Sequence, residues 1–225
     1  MTNLSGAEKK IEKDVVIGRI GLPGTLAIPE SARGVIIFAH GSGSSRLSPR
    51  NRKVAAALQE AGFGTLLLDL LTEAEAANRE NVFDVELLGR RLFMVTEWLL
   101  DEPLTDDLPI GLFGASTGAA AALYAAADGL ARLKAVVSRG GRPDLAGDVL
   151  PRVRVPTLLI VGGNDDIVIQ LNRRAIKQMT CFRQLEIVPG ATHLFEEPGC
   201  MDHVVDLTID WFRRYLTYAA VANHV

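Results

Sequence analysis

The stretch LPIGLFGASTGAAAALYAAA, residues 108–127, decides the fold. Residues 108–113 form a short apolar run, which is typical of a strand buried on both faces of a parallel sheet. Residues 117–127 are rich in alanine and predict a tightly packed helix. The segment between them matches G-x-S-x-G, a motif that needs a strand before it and a helix after it. The pattern therefore predicts a sharp turn that lifts Ser116 above the edge of a sheet.

Two glycines suit this turn. The strand and the helix approach each other closely on either side of the serine, where Gly114 and Gly118 fit without a clash. The first free N–H of the helix, at Thr117, would then face an oxyanion formed at Ser116. Nucleotide-binding folds also place a Gly-Ser turn before a helix. However, the first predicted parallel strand leads into HGSGSS, residues 40–45, which lacks the G-x-G-x-x-G spacing, and no Walker lysine is present.

Apolar runs alternate with longer amphipathic segments along the chain. This alternation predicts crossover connections and a mostly parallel sheet covered by helices on both faces. We predict strands at 34–39, 64–70, 108–113, 135–138, 157–161 and 184–188, with a weaker edge hairpin from 15–20 and 22–28. We predict helices at 49–62, 85–100, 117–127, 168–179 and 202–218. Residues 1–225 are expected to form one domain, because the roughly 16 residues from 140 to 155 leave no room for a cap domain.

The composition excludes several classes of protein. The 225 residues include 24 Lys plus Arg and 27 Asp plus Glu, and 48% are hydrophobic. Such a chain lacks the positive electrostatic field that attracts nucleic acids or anionic membranes. We therefore expect neither partner. Cys181 and Cys200 have no zinc-ligand spacing and are expected to be reduced thiols; we expect no metal and no cofactor. Without an apolar leader or a long apolar run, the protein is expected in the cytoplasm.

A serine hydroxyl needs a histidine and a carboxylate to become a nucleophile at neutral pH. Among four histidines, His193 follows the last predicted strand and fits the chain order Ser, Asp, His. The strand at 157–161 leads into two aspartates. We favour Asp165, which stands closer to the strand end, because Asp166 suits the cap or first turn of the next helix. Asp144, after the preceding strand, ranks third.

The arrangement of Ser116, Asp165 and His193 along the chain resembles that of the alpha/beta-hydrolase superfamily and, within it, the small cap-less enzymes of the dienelactone hydrolase type. The resemblance covers nearly the whole chain and rests on the His40-Gly41 loop, the Ser116 turn, GGNDDIV at 162–168 and GATHLF at 190–195. It implies a hydrolase of small carboxylic esters, thioesters or lactones, acting through an acyl-enzyme. The best-known dienelactone hydrolases carry cysteine in place of Ser116, and serine favours a more general esterase.

The resemblance also implies roles for the loop after His40. In relatives with a His-Gly loop, the residue after the glycine gives the second oxyanion N–H, which would be Ser42 beside Thr117, while His40 holds the loop. The segment 40–52 is similar to hydrolases that sometimes follow a phosphoribosyltransferase domain, which implies a functional link to such an enzyme. A monomer and a homodimer both remain open.

Two other functions remain open at this point. A cofactor-free perhydrolase or haloperoxidase-like enzyme would use the same three residues with hydrogen peroxide in place of water. The fold also serves as a non-catalytic binding module that holds a ligand without turnover.

Several arginines bear on the substrate. Arg50 and Arg52 fall in the first turn of the helix predicted from Pro49, against the helix dipole. Together with Arg46, Arg139 and Arg142, they predict a positively charged mouth and a substrate with a negative charge. The alternative is that these arginines are solvated or paired with Glu73 and Glu75. The candidate substrate-binding residues are His40, Arg46, Arg139 and Arg142. The polar loop 71–81 is either a small lid or a long crossover loop.

Overall fold

A computed structural model of the chain describes residues 10–216, which build an eight-stranded sheet flanked by helices. The strands are β1 (Lys10–Ile17), β2 (Leu22–Pro29), β3 (Val35–Ala39), β4 (Gly64–Leu68), β5 (Ile110–Ala115), β6 (Leu133–Arg139), β7 (Thr157–Gly162) and β8 (Arg183–Val188). The helices are α1 (Pro49–Glu60), α2 (Glu73–Ala76), α3 (Arg79–Phe83), α4 (Val85–Leu100), α5 (Thr117–Ala127), α6 (Asp166–Ile176) and α7 (Cys200–Tyr215). Two 3-10 helices span Pro103–Thr105 and Pro143–Arg152.

The strand order is β1-β2-β4-β3-β5-β6-β7-β8. Strands β3 to β8 are parallel to one another. Strands β1 and β2 form an antiparallel hairpin, and β2 also pairs antiparallel with β4. This is the alpha/beta-hydrolase fold, as predicted, with the parallel strands ending on one common edge. The connection from β6 to β7 carries a 3-10 helix and no cap domain.

All eight predicted strands are present, with shifted ends. The first strand was predicted too late in the chain: Gly18 and Gly21 have φ of 65° and 78° and make the hairpin turn, so β1 ends at Ile17. The last helix begins at Cys200 and ends at Tyr215, with Leu216 as its C-cap, and residues 217–218 of its predicted range lie outside the described residues. The segment predicted as the loop 71–81 contains α2 and most of α3.

Helices cover both faces of the sheet. On one face, α4 and α5 pack in a cluster that includes Leu92, Val95 and Leu123. On the other face, α1 and α7 pack in a cluster that includes Leu58 and Phe212. The middle strand β5 is buried throughout, and the following alanines of α5 let that helix approach the sheet closely. The Ser116 turn is therefore supported by packed structure on both faces.

Among residues 10–216, no helix is long and apolar enough to cross a membrane. The same residues contain no group of three or more His, Cys, Asp or Glu side chains arranged to hold a metal ion.

Candidate active site

Ser116 lies at the turn between β5 and α5 and has a strained backbone, with φ of 52° and ψ of −122°. Such a conformation costs a non-glycine residue about 1–3 kcal/mol. Hydrogen bonds from the neighbouring chain stabilise it. The Ser116 N–H donates to the Arg139 carbonyl at 3.2 Å, and the Ser116 carbonyl accepts from the Arg142 and Ala119 N–H groups, each at 3.1 Å. The loop after β6 therefore fixes the turn that presents the serine hydroxyl.

The two motif glycines are required by close backbone approaches. A Cβ atom on Gly118 would lie 2.2 Å from the carbonyl oxygen of Ala39, and one on Gly114 would lie 2.4 Å from the Cα of Ala119. Neither contact can relax by moving a flexible side chain, because both neighbours are backbone atoms. These distances supply the physical reason for the G-x-S-x-G spacing read in the sequence.

The imidazole of His193 and the carboxylate of Asp165 are in direct contact, with Nδ1 2.7 Å from Oδ2. Asp165 lies beyond β7 and His193 beyond β8, so both project from the same edge of the sheet as Ser116. Its neighbour Asp166 is the first residue of α6, and Asp144 forms a bidentate ion pair with Arg142. Of the three aspartates considered, the structure therefore places Asp165 against the imidazole.

Backbone contacts hold the acid and histidine loops together. The Asn164 N–H donates to the Ala191 carbonyl, and the Asn164 side-chain amide donates to the Gly190 carbonyl, both at 2.9 Å. A Cβ atom on Gly162 would lie 2.4 Å from the Ala191 carbonyl oxygen. The glycine at the end of β7 thus lets the histidine loop reach the aspartate.

Ser116 and His193 line one cavity of about 230 Å³. Among residues 10–216, the hydroxyl of Ser116 makes no hydrogen bond, either to His193 or to another group. Catalytic hydrogen bonds are often long before substrate binds and tighten in the reacting complex. The structure therefore brings Ser116, Asp165 and His193 to one site but joins only the last two.

The two predicted oxyanion donors differ in their partners. The Thr117 N–H is at the first position of α5, where a helix offers no internal acceptor. The Ser42 N–H instead donates to the side-chain hydroxyl of Thr117, with a distance of 2.8 Å between N and Oγ1. An oxyanion at Ser116 must therefore compete with the Thr117 hydroxyl for the Ser42 N–H. Sequence reasoning assigned only a backbone role to Thr117 and missed this contact.

His40 and Arg46 converge on Asp69, just beyond β4. The Nε2 atom of His40 lies 3.7 Å from Oδ1 of Asp69, and its Nδ1 atom lies 3.0 Å from the Gly41 carbonyl. Arg46 donates its backbone N–H to Oδ1 at 2.7 Å and places Nε 3.4 Å from Oδ2. These contacts tie the loop after β3 to the end of β4, and a substrate-binding role for His40 and Arg46 stays a prediction.

The remaining arginines have contrasting surroundings. Arg142 pairs with Asp144, whereas Arg139 is buried, with 7% of its surface exposed. Burial lowers the pKa of Arg139 to about 10, and repulsion from Arg50 contributes to the shift. The pairing considered for Glu75 is wrong in this structure, because that carboxylate binds Arg91 at 2.6 Å.

A second cavity, of about 430 Å³, lies on the other side of the loop that carries Ser42. It is mainly apolar, with walls from Leu70, Leu71, Val82 and Leu88. The segment beginning at Thr72 forms one rim and is ordered by a capping box in which the Thr72 and Glu75 side chains satisfy each other's backbone N–H groups. The Thr72 N–H and the Arg91 guanidinium hold the pKa of the Glu75 carboxyl below its usual range. Whether this rim acts as a lid stays a prediction.

The strained serine turn, and the aspartate and histidine at the same carboxyl edge of a parallel sheet, define the class of this protein as an alpha/beta hydrolase. Within that class, the profile of the dienelactone hydrolase family matches residues 22–216, so the chain belongs to that family. Membership supports hydrolase activity.

Solved structures agree with this assignment. The crystal structure of a dienelactone hydrolase from Anabaena variabilis is 51% identical with a TM-score of 0.88, covering 93% of this chain and 99% of that chain. Est1E from Butyrivibrio proteoclasticus is 17% identical with a TM-score of 0.74, covering 90% of this chain and 98% of its own, and shares the fold.

Two proteins from strains of Mycobacterium tuberculosis are each 59% identical over 205 residues and are provisionally named phosphoribosyl transferases. The match covers 91% of this chain but 46% of theirs. The chain therefore spans about half the length of these curated relatives.

Proposed function

We propose that this protein is a serine hydrolase that cleaves small carboxylic esters or thioesters through an acyl-enzyme. The observation that carries the proposal is the 2.7 Å contact between Asp165 and His193, placed beside a strained Ser116 in one cavity. A carboxylate on Nδ1 fixes the imidazole tautomer, so Nε2 is left to accept a proton. The serine turn, in contrast to an ordinary loop, exposes the hydroxyl at the edge where substrates bind.

The reaction begins when Nε2 of His193 takes the proton of Ser116 and the hydroxyl oxygen attacks the acyl carbonyl. The negative charge that develops on the carbonyl oxygen is stabilised by the Thr117 N–H and by the Ser42 N–H, which leaves the Thr117 hydroxyl. His193 then returns the proton to the leaving alcohol or thiol. Water then attacks the acyl-enzyme while the same imidazole takes a proton from it, and the imidazolium returns that proton to the Ser116 oxygen as the acid leaves. Asp165 stabilises the imidazolium in both halves of the reaction.

The proposal is tested by replacing the nucleophile and the base. We expect Ser116→Ala and His193→Ala each to lower kcat for a neutral ester by about 10⁶-fold. In a catalytic triad, removing the nucleophile or the base alone costs about as much as removing all three residues. The measurement is release of 4-nitrophenol from 4-nitrophenyl acetate, with His203→Ala as a control on the exposed side of α7. Turnover by either active-site variant near the wild-type rate would overturn the assignment.

The same panel distinguishes the other functions. Peracid formation with hydrogen peroxide that exceeds ester hydrolysis would indicate a perhydrolase, and saturable ester binding without a burst of alcohol would indicate a binding module. We assign no phosphoribosyl transfer to this chain. Such transfer by the longer relatives would belong to the part that this chain does not match.

A further inference from the structure

The 430 Å³ cavity beside the Ser42 loop is an apolar space that the proposed catalytic steps do not use. Its apolar walls come from the residues after β4, from α4 and from the α2–α3 segment, through Leu70, Leu71, Leu88, Ala76 and Val82. Among residues 10–216, neither lysine nor arginine lines this cavity, and both Asp69 and Glu73 do. Its size is typical of sites that bind small organic molecules. An uncharged apolar group therefore fits this cavity better than an anion does.

This cavity shares a wall with the smaller one that holds the candidate nucleophile. Gly41, Ser42 and Ser44 line both the 430 Å³ cavity and the 230 Å³ cavity. In the proposed mechanism, the carbonyl oxygen of the ester lies at the N–H groups of Ser42 and Thr117. The reacting carbonyl is then at the boundary of the two cavities, so one of its substituents can lie in each.

The histidine decides which substituent lies on which side. Of the two cavities, His193 lines only the smaller one. The leaving alcohol or thiol takes its proton from the imidazole and must lie within hydrogen-bond reach of Nε2. The alcohol part of the ester therefore lies in the 230 Å³ cavity. The acyl chain receives no proton, and the apolar cavity across the Ser42 loop is left for it.

Two residues on the rim of the apolar cavity set how long a chain can fit. Ala76 in α2 is exposed and Val82 in α3 is half-buried, and both line the cavity. The rim is anchored to α4, because Glu75 completes the capping box with Thr72 and also pairs with Arg91. Neither Ala76 nor Val82 is part of the buried core, so each can be replaced at little cost in stability.

We propose that the 430 Å³ cavity binds the acyl chain of the substrate, which is an ester or thioester whose acyl chain is uncharged, apolar and of medium length. This inference rests on the proposed function and deepens it by naming the acyl part. Each methylene that the cavity buries stabilises the bound ester and its transition state, and it raises kcat/KM by about two- to fourfold.

The first test compares kcat/KM for the 4-nitrophenyl esters of acetate, butyrate, hexanoate and octanoate. We expect the wild-type value to rise by about tenfold or more from acetate to hexanoate. Ala76→Phe places a ring against the cavity and should lower the hexanoate-to-acetate ratio by about tenfold. Ala77→Phe is the matched control, because the neighbouring Ala77 is also exposed but does not line the cavity. An unchanged ratio in Ala76→Phe would overturn the inference.

Val82→Ala makes the opposite change to the same wall. The smaller side chain lengthens the space available to the chain, so we expect the preferred ester to shift from hexanoate towards octanoate. A shift towards shorter chains in this variant would contradict the assignment of the rim.

A second series distinguishes the acyl chain from the alcohol. It uses ethyl, butyl and hexyl acetate, with the released acid titrated at constant pH. We expect kcat/KM to vary less along this series than along the acyl series, and Ala76→Phe to leave its pattern unchanged. A dependence that follows the alcohol chain, and that Ala76→Phe removes, would overturn the assignment of the cavity to the acyl part.

Binding of octanamide, an uncharged analogue of the acyl part, separates the cavity from the chemistry. By calorimetry, we expect Ser116→Ala to bind octanamide, and the double variant Ser116→Ala, Ala76→Phe to bind it about tenfold more weakly. Octanamide binding of this kind, with no ester turned over by the wild type, would support the cavity as the chain site and overturn the proposed function. Ester turnover without any dependence on acyl-chain length would overturn this inference alone.

Discussion

The two halves of the candidate site are assembled to different degrees. On one side, Asp165 and His193 are in contact at 2.7 Å, and their loops are joined by two hydrogen bonds of Asn164. On the other side, the Ser116 hydroxyl makes no hydrogen bond within residues 10–216, and the Ser42 N–H is taken by Thr117. In the proposed mechanism, the acid and base are therefore fixed before substrate arrives, whereas the nucleophile and the oxyanion donors still have to exchange partners.

This difference has a physical origin. The aspartate and histidine are held by backbone hydrogen bonds that leave little freedom to either loop. The serine backbone is equally fixed, but its hydroxyl and the Thr117 hydroxyl each turn about a single side-chain bond. Preorganisation therefore resides in the backbone of both halves, and the adjustable part is limited to two side-chain oxygens.

Asp165→Asn removes the carboxylate contact of the assembled half, and we expect the largest effect from this substitution. An amide cannot hold the imidazole in the required tautomer, so we expect kcat to fall by about 10⁴-fold. The neighbouring Asp166→Asn is the matched control, because Asp166 begins α6 and is expected to affect stability slightly and turnover little. Steady-state ester hydrolysis measures both. Equal losses in the two variants would show that the carboxylate contact does not matter for catalysis.

Gly118→Ala tests whether the serine backbone is as fixed as its contacts indicate. The new Cβ would lie 2.2 Å from a backbone oxygen, and we expect it to lower the free energy of unfolding by about 3 kcal/mol. Gly43→Ala, where nothing lies within 4 Å but φ is 72°, should cost about 1 kcal/mol. Urea denaturation measures both. Similar costs at the two positions would contradict a tightly constrained turn.

Thr117→Val removes the hydrogen bond between Ser42 and Thr117 in the unassembled half, and we expect the smallest effect from this substitution. Valine has the shape of threonine but accepts no hydrogen bond, so the Ser42 N–H becomes free for an oxyanion. Since a typical hydrogen bond contributes about 1 kcal/mol, we expect kcat to rise by about two- to tenfold. Thr117→Ser, which keeps the hydroxyl, should stay near the wild type. A fall of tenfold or more in the valine variant would show that the hydroxyl itself serves catalysis.

The sequence alone predicted the parts of the molecule that depend on local pattern. The serine turn follows from strand, glycine and helix signals within 20 residues, and Asp165 and His193 follow from their places after successive strands. The Ser42–Thr117 contact joins residues 75 positions apart through one side-chain rotamer, which no local pattern encodes. Likewise, Arg139 and Arg142 are close in sequence, and only tertiary packing decides that one is buried and the other paired.

The proposed mechanism requires Ser116 to be an activated nucleophile. The most direct measurement is the intact mass of the protein after treatment with a small fluorophosphonate, followed by peptide mapping of the adduct. We expect one adduct per chain, located on Ser116, and none in Ser116→Ala. A folded wild-type protein that forms no adduct, or forms one on another residue, would contradict it.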